Sequence, residues 1–258
     1  MGNDETVRTF IDAWKLMTGR FAGSDFQVAR GVASTFANVP LANLNFSFQA
    51  RQAVDDADLR RMLQTMHQRA KACAYPSFIV LCPDWMPGDW PAIAAEEGFS
   101  LSLSTLGMAA ETLSPMRRSL PELEYRRVSD TETSRDLATV NAQAYAVFGM
   151  PTAMWDCMGT TRLWHPDSYG YVGYVNGKAV SAAAAFPIDG AMYIAWVATV
   201  PEAHGKGYAE AVLRHAIEQS QVGTGQQRLV LHASVMGEPL YRSMGFHAGG
   251  KLQMLTPA

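Results

Sequence analysis

The chain has 258 residues, of which 48% are apolar and 17% charged, a balance that allows a substantial core and excludes global disorder. A net charge of −3 without a dense basic block argues against nucleic acid as a partner. The nearest approach to such a block is Arg117-Arg118 with Arg126-Arg127. Cys73, Cys82 and Cys157 are odd in number and wrongly spaced for a disulfide framework or a zinc site, which points to a reducing cytoplasm and no metal. The N-terminus, MGNDETVRTF, is acidic where a signal peptide needs a basic region. Gly31–Ala50 and Leu137–Trp155 are uncharged, but each holds polar residues and a proline, so no membrane span is expected.

In chain order, Thr6–Met17 carries apolar residues at helical spacing. Leu44–Gln49 alternates Leu, Phe and Phe with Asn, Ser and Gln, a strand pattern. Asp55–Cys73 reads as a helix with Asp55, Asp56 and Asp58 well placed at its positive end. Ser77–Leu81 is a short buried strand, Trp90–Glu97 a helix stopped by Gly98, and Phe99–Met108 a strand. Ser114–Pro121, with two prolines, two arginines and no apolar period, reads as an exposed connector. It divides the chain into an N-terminal module, 1–120, and a C-terminal domain, 121–258.

After the connector, Glu124–Val128 is a strand and Thr133–Val147 a helix broken at Gly149-Met150-Pro151. Tyr171–Tyr174 and Ala179–Phe186 are strands joined by Asn176-Gly177, a strong hairpin signal. Ala191–Val200 is a further strand, and Tyr208–Gln219 is an amphipathic helix. Leu229–His232 reads as a buried strand, Pro239–Met244 as a short helix, and Phe246–Leu255 as the last strand. Phe78–Leu81 leading to Gly98-Phe99 echoes Leu229–Leu231 leading to Gly245-Phe246, which suggests a duplicated architecture.

The chemistry concentrates in Ala191–Ala209. There a long apolar strand runs through a short turn into His204-Gly205-Lys206-Gly207-Tyr208-Ala209 and opens a helix. Glycines let backbone N–H groups approach an anion, and the helix adds its positive end. A cofactor bearing a pyrophosphate is the natural occupant.

This segment and a later one, Leu240-Tyr241-Arg242-Ser243-Met244-Gly245-Phe246, together resemble the GNAT superfamily of acetyl-coenzyme A-dependent N-acyltransferases. The resemblance covers about Leu123 to Leu255. It implies a mixed α/β (α+β) GNAT fold, a central mixed sheet flanked by helices, and with the internal echo it suggests that the N-terminal α/β module is a degenerate GNAT-like one of the same architecture. It also implies acetyl-CoA as acyl donor. His204 stands where the family has Arg or Gln; a neutral imidazole donates one hydrogen bond and brings no fixed charge, and Lys206 supplies part of what is missing.

By the same resemblance, the edge of Val197-Ala198-Thr199 pairs with the pantetheine arm, as in β-augmentation. Gly205, Gly207, Tyr208 and Ala209 face the diphosphate, and Ser234 stands where many relatives place a cofactor-contacting Asn. Tyr241 takes the catalytic role. Its phenol, of pKa about 10 beside a thiol's about 8.5, can give a proton to the departing thiolate. Glu202, Glu238 and His232 are the candidates for the base. Trp155, Trp164, Met150, Met154 and Met158 read equally as core or as the lining of an acceptor pocket.

The N-terminal half lacks a glycine loop, since Ala50–Val54 precedes three aspartates that oppose a pyrophosphate. Its roles would be structural support, a wall of the acceptor site, or a homodimer surface. The expected function is transfer of an acetyl group to the primary amine of a small molecule or peptide. The competing reading is a non-catalytic acyl-CoA-binding module or sensor.

Overall fold

The computed structural model describes residues 1–257, without the side chain of Phe148. The chain divides into two compact units. Unit 1 holds Met1–Ala109, His232–Arg242 and the segment from Phe246 to the C-terminus; unit 2 holds Ala110–Leu231 and Ser243–Gly245.

Unit 1 begins with α1 (Asn3–Thr18), β1 (Asp25–Ala29), β2 (Val32–Phe36) and β3 (Asn45–Gln49). Then come α2 (Asp56–Ala72), β4 (Phe78–Leu81), α3 (Trp90–Glu96) and β5 (Phe99–Ala110). The last strand of the chain, β11 (His247–Pro257), also belongs here, and the strand order is β1-β2-β3-β4-β11-β5. The sheet is mixed: β3 and β4 run parallel from Phe46↔Phe78 to Phe48↔Val80, while the other pairs are antiparallel.

Strand alternation assigns the two faces. Phe46 and Phe48 of β3 point to α1, where they meet the rings of Phe10 and Trp14. Ile79 and Leu81 of β4 join Leu59, Met62 and Leu63 of α2 in a second buried cluster. Each helix therefore buries one apolar stripe against one side of the sheet.

Unit 2 contains β6 (Glu124–Arg127), α4 (Thr131–Tyr145), β7 (Tyr169–Val175), β8 (Lys178–Ile188) and β9 (Ala191–Thr199), followed by α5 (Tyr208–Thr224) and the start of β10 (Leu229–Ala233). Its strand order is β10-β9-β8-β7-β6, with β9 and β10 parallel and the rest antiparallel. Asp130 and Thr133 start α4 with a reciprocal capping box. Ala182–Ala185 of β8 are fully buried, and both α4 and α5 pack on this strand. Methyl side chains let both helices approach the sheet closely.

One succession occurs twice along the chain: three antiparallel strands, a helix, a strand parallel to the last of the three, a short helix and a final strand. It runs from β1 to β5 and from β7 through α6 (Glu238–Ser243) to β11. Among the described residues, no helix is long and apolar enough to cross a membrane.

Candidate functional site

The centre of the site in unit 2 is the end of β9. Ala184 pairs with Ala195 and Ala182 with Ala198, so β9 carries one residue more than β8 between these pairs. The extra residue makes a bulge. Trp196 absorbs it in the left-handed region, with φ of 56°. That conformation is uncommon for a large side chain and needs support from its surroundings. The Trp196 ring is 6% exposed and meets Trp155 edge-on at 5.9 Å. β9 pairs with β10 along Met192–Ile194, just ahead of the bulge.

Val197, Ala198 and Thr199 follow the bulge. On the β8 side they are well tied, since Ser181 Oγ donates to the Ala198 carbonyl at 2.8 Å and shares a 2.8 Å bond with Thr199 Oγ1. The chain then turns through Pro201–Ala203 to the glycine loop. Gly205 and Gly207 have φ of 75° and 87°, a region that L side chains rarely adopt. A methyl group at Gly205 would meet nothing within 4 Å, so the loop is open there. Gly207 is the N-cap of α5, and no side chain caps the helix. The first amides of the helix, at Tyr208 and Ala209, thus lack a side-chain acceptor from the cap, and an anion fits there. Glu210, in the first turn, is neutralised by Arg214 at 2.8 Å.

His204 is engaged within the protein. Its Nε2 lies 2.8 Å from the Thr199 carbonyl, which makes Nε2–H the donor. His204 thereby ties the loop back to the end of β9. Lys206 also turns back, donating from Nζ to the Glu202 carbonyl at 3.1 Å.

Ser234 and Tyr241 fall in unit 1. Ser234 Oγ accepts from the Gly237 amide at 3.2 Å, and its carbonyl accepts from Glu238 at 3.0 Å, so it opens the turn into α6. Tyr241 is 8% exposed, with its ring edge-on to Phe246 at 5.9 Å. Its amide donates to the Gly237 carbonyl at 3.3 Å.

The base candidates are each engaged. Glu202 accepts from Lys178 at 2.9 Å, which holds its carboxyl below the usual range. Glu238 accepts from Arg242 at 2.6 Å. His232 lies 3.0 Å from the Thr6 carbonyl through Nε2, and burial pushes its pKa down to about 3. It is therefore neutral at working pH.

The corresponding helix of unit 1 opens without a glycine loop. Asp55 caps α2 by accepting from the Asp58 amide at 2.7 Å. Asp58 accepts from Arg51 at 2.6 and 3.0 Å and from the Val54 amide at 3.1 Å. The protein's own carboxylates thus occupy this helix terminus. Nearby, Gln49 bridges β3 to the chain after β4, accepting from the Cys82 amide at 3.0 Å and donating to the Trp85 carbonyl at 3.3 Å.

The Arg51 hydrogen bonds hold the Asp58 carboxyl well below its ordinary pKa of 3.8. A depressed carboxylate stabilises the fold above its unfolded pKa and loses that contribution as pH falls toward the folded one. Asp58→Asn should cost on the order of 1 kcal/mol at neutral pH. Urea midpoints for wild type and variant should then converge below pH about 4. A gap independent of pH would show that Asp58 acts through packing alone.

Two features were not legible from residue patterns. The bulge at Trp196 leaves no mark in an apolar run, and Arg118, read as a linker charge, lies beside Gly207. Among the described residues there is no group of three or more His, Cys, Asp or Glu arranged to hold a metal.

In this mixed α/β unit a bulged strand leads into an open glycine loop and a helix with no side-chain cap. Residues 166–248 match the family model described as an acetyltransferase (GNAT) domain. Solved structures share the fold over nearly the whole chain. One is a GCN5-related N-acetyltransferase from Kribbella flavida, 18% identical, covering 97% of this chain and 95% of that one, with a TM-score of 0.69. Another is a functionally unknown conserved protein from Staphylococcus epidermidis, 13% identical, with 92% and 95% covered and a TM-score of 0.65. A third is a GCN5-related N-acetyltransferase from Sphaerobacter thermophilus, 11% identical, with 89% and 81% covered and a TM-score of 0.59. No curated protein matches the chain.

Proposed function

We propose that the protein transfers an acetyl group from acetyl-CoA to the primary amine of a small-molecule or peptide acceptor. The observation that carries this reading is the open loop at Gly205 and Gly207, which starts an uncapped helix directly after a bulged strand. The GNAT domain match over residues 166–248 supports it.

Acetyl-CoA would supply an activated thioester. The loop amides and the N-terminus of α5 hold its diphosphate, and the β9 segment Val197–Thr199 binds the pantetheine arm through its backbone. Tyr241 is the proton donor to the departing thiolate. Its phenol matches a thiol closely enough in acidity to share a proton as charge builds. Burial of His232, with its pKa down at about 3, and the Lys178 pairing of Glu202 weaken both as bases, so the amine proton passes to His232, Glu202 or Glu238 directly or through water.

Incubation of the purified protein with acetyl-CoA and a broad panel of amines should release free thiol only when an acceptor is present. Normal coenzyme A binding with no thiol release across the panel would favour a non-catalytic acyl-CoA-binding role instead.

A further inference from the structure

Binding a diphosphate calls for positive charge as well as backbone amides, and the loop's own cations are turned elsewhere. The Nε2–H of His204 is given to the Thr199 carbonyl at 2.8 Å. Lys206 reaches back to the Glu202 carbonyl at 3.1 Å, beside a carboxylate that Lys178 already engages. Arg214 is held by Glu210 at 2.8 Å and by the Ser114 carbonyl at 2.9 Å.

One guanidinium does lie at the loop. A methyl group added at Gly207 would come within 3.3 Å of Arg118 Nη2 and 3.3 Å of Pro121 Cδ. Arg118 belongs to the same unit as the loop and is exposed. Among the described residues it makes no hydrogen bond or ion pair, unlike Arg126, which is tied to Glu124 at 2.6 Å. Glycine at position 207 therefore serves two needs: it adopts φ of 87°, and it leaves room for Arg118 and Pro121 against the helix start.

We infer that Arg118 is a cofactor-binding residue, supplying from the segment before β6 the cationic contact to the diphosphate that the loop does not itself provide. This rests on the acetyl-CoA reading of the loop. The guanidinium suits the task, because its planar donor fork pairs with phosphate oxygens and keeps its charge at any working pH. His204 is then a positioning residue, fixing the loop to β9.

Isothermal titration of the whole protein with coenzyme A, dephospho-coenzyme A and pantetheine separates the possibilities. Arg118→Ala should weaken coenzyme A about tenfold, the size of one charge-assisted contact discounted for exposure. Added salt should narrow the difference. Dephospho-coenzyme A, which keeps the diphosphate, should lose as much, and pantetheine should bind both proteins alike. Arg118→Lys should recover part of the loss, and Arg117→Ala should stay within about twofold of wild type.

Unchanged coenzyme A affinity in Arg118→Ala overturns the inference. So does an equal loss in Arg117→Ala, which would mean a diffuse field, or a loss absent with dephospho-coenzyme A, which would move the contact to the ribose phosphate. A wild-type protein that binds no coenzyme A overturns the acetyl-CoA reading itself.

Discussion

Tyr241→Phe is expected to lower turnover about 100-fold or more, the usual scale for a lost proton donor. Coenzyme A affinity should stay within about twofold, since the change removes an oxygen and leaves the ring. The ring is 8% exposed and lies edge-on to Phe246 at 5.9 Å, so phenylalanine keeps the packing that seats α6. Initial rates by thiol release, with affinity by calorimetry, measure both quantities. Equal losses in rate and affinity would reassign Tyr241 from chemistry to structure. A rate that does not change at all would move proton donation to another group.

Phe46→Ala should destabilise the protein by about 3–5 kcal/mol. Phe46 is fully buried, with Trp14 at 4.8 Å, Phe48 at 5.4 Å, Phe10 at 5.6 Å and Phe78 at 6.0 Å between ring centroids. Truncation removes the ring around which this cluster is arranged and leaves a cavity that β-sheet neighbours close only partly. Urea unfolding followed by tryptophan fluorescence reads the loss, because Trp14 borders the cavity. A cost below about 1 kcal/mol would mean that α1 collapses onto the sheet and fills the space.

Much of the fold was legible where periodicity was strong. Asp55–Cys73 was expected as a helix and is α2, Asp56–Ala72, because its acidic start and apolar spacing agree. Ala191–Val200 was expected as a strand and is β9, Ala191–Thr199. The hairpin of β1 and β2 carries no such signal. Its turn is Arg30-Gly31, both with positive φ of 52° and 79°, and arginine there gives none of the Asn-Gly or Asp-Gly signal. Four of the five β1 residues are exposed, so that strand shows no buried alternation to reveal it.

The candidate site divides in the same way. Gly205 and Gly207 announced an open loop, because glycine between a strand and a helix has a conformational meaning that local sequence carries. His204 departs from the pattern of the resembling family, and only the fold shows its N–H committed to Thr199.

The sequence by itself determined the succession of elements apart from the β1–β2 hairpin, the family resemblance and the glycine loop between β9 and α5, since each follows from periods, capping residues and spacing along a short stretch of chain. Tertiary structure alone decided the rest. It put β11, the last strand, between β4 and β5, a pairing of residues such as Gln253 and Leu81 far apart in the chain. It also bulged β9 at Trp196 and brought Arg118 to Gly207. Strand neighbours, bulges and the environment of a side chain depend on contacts distant in sequence, and no local pattern encodes them.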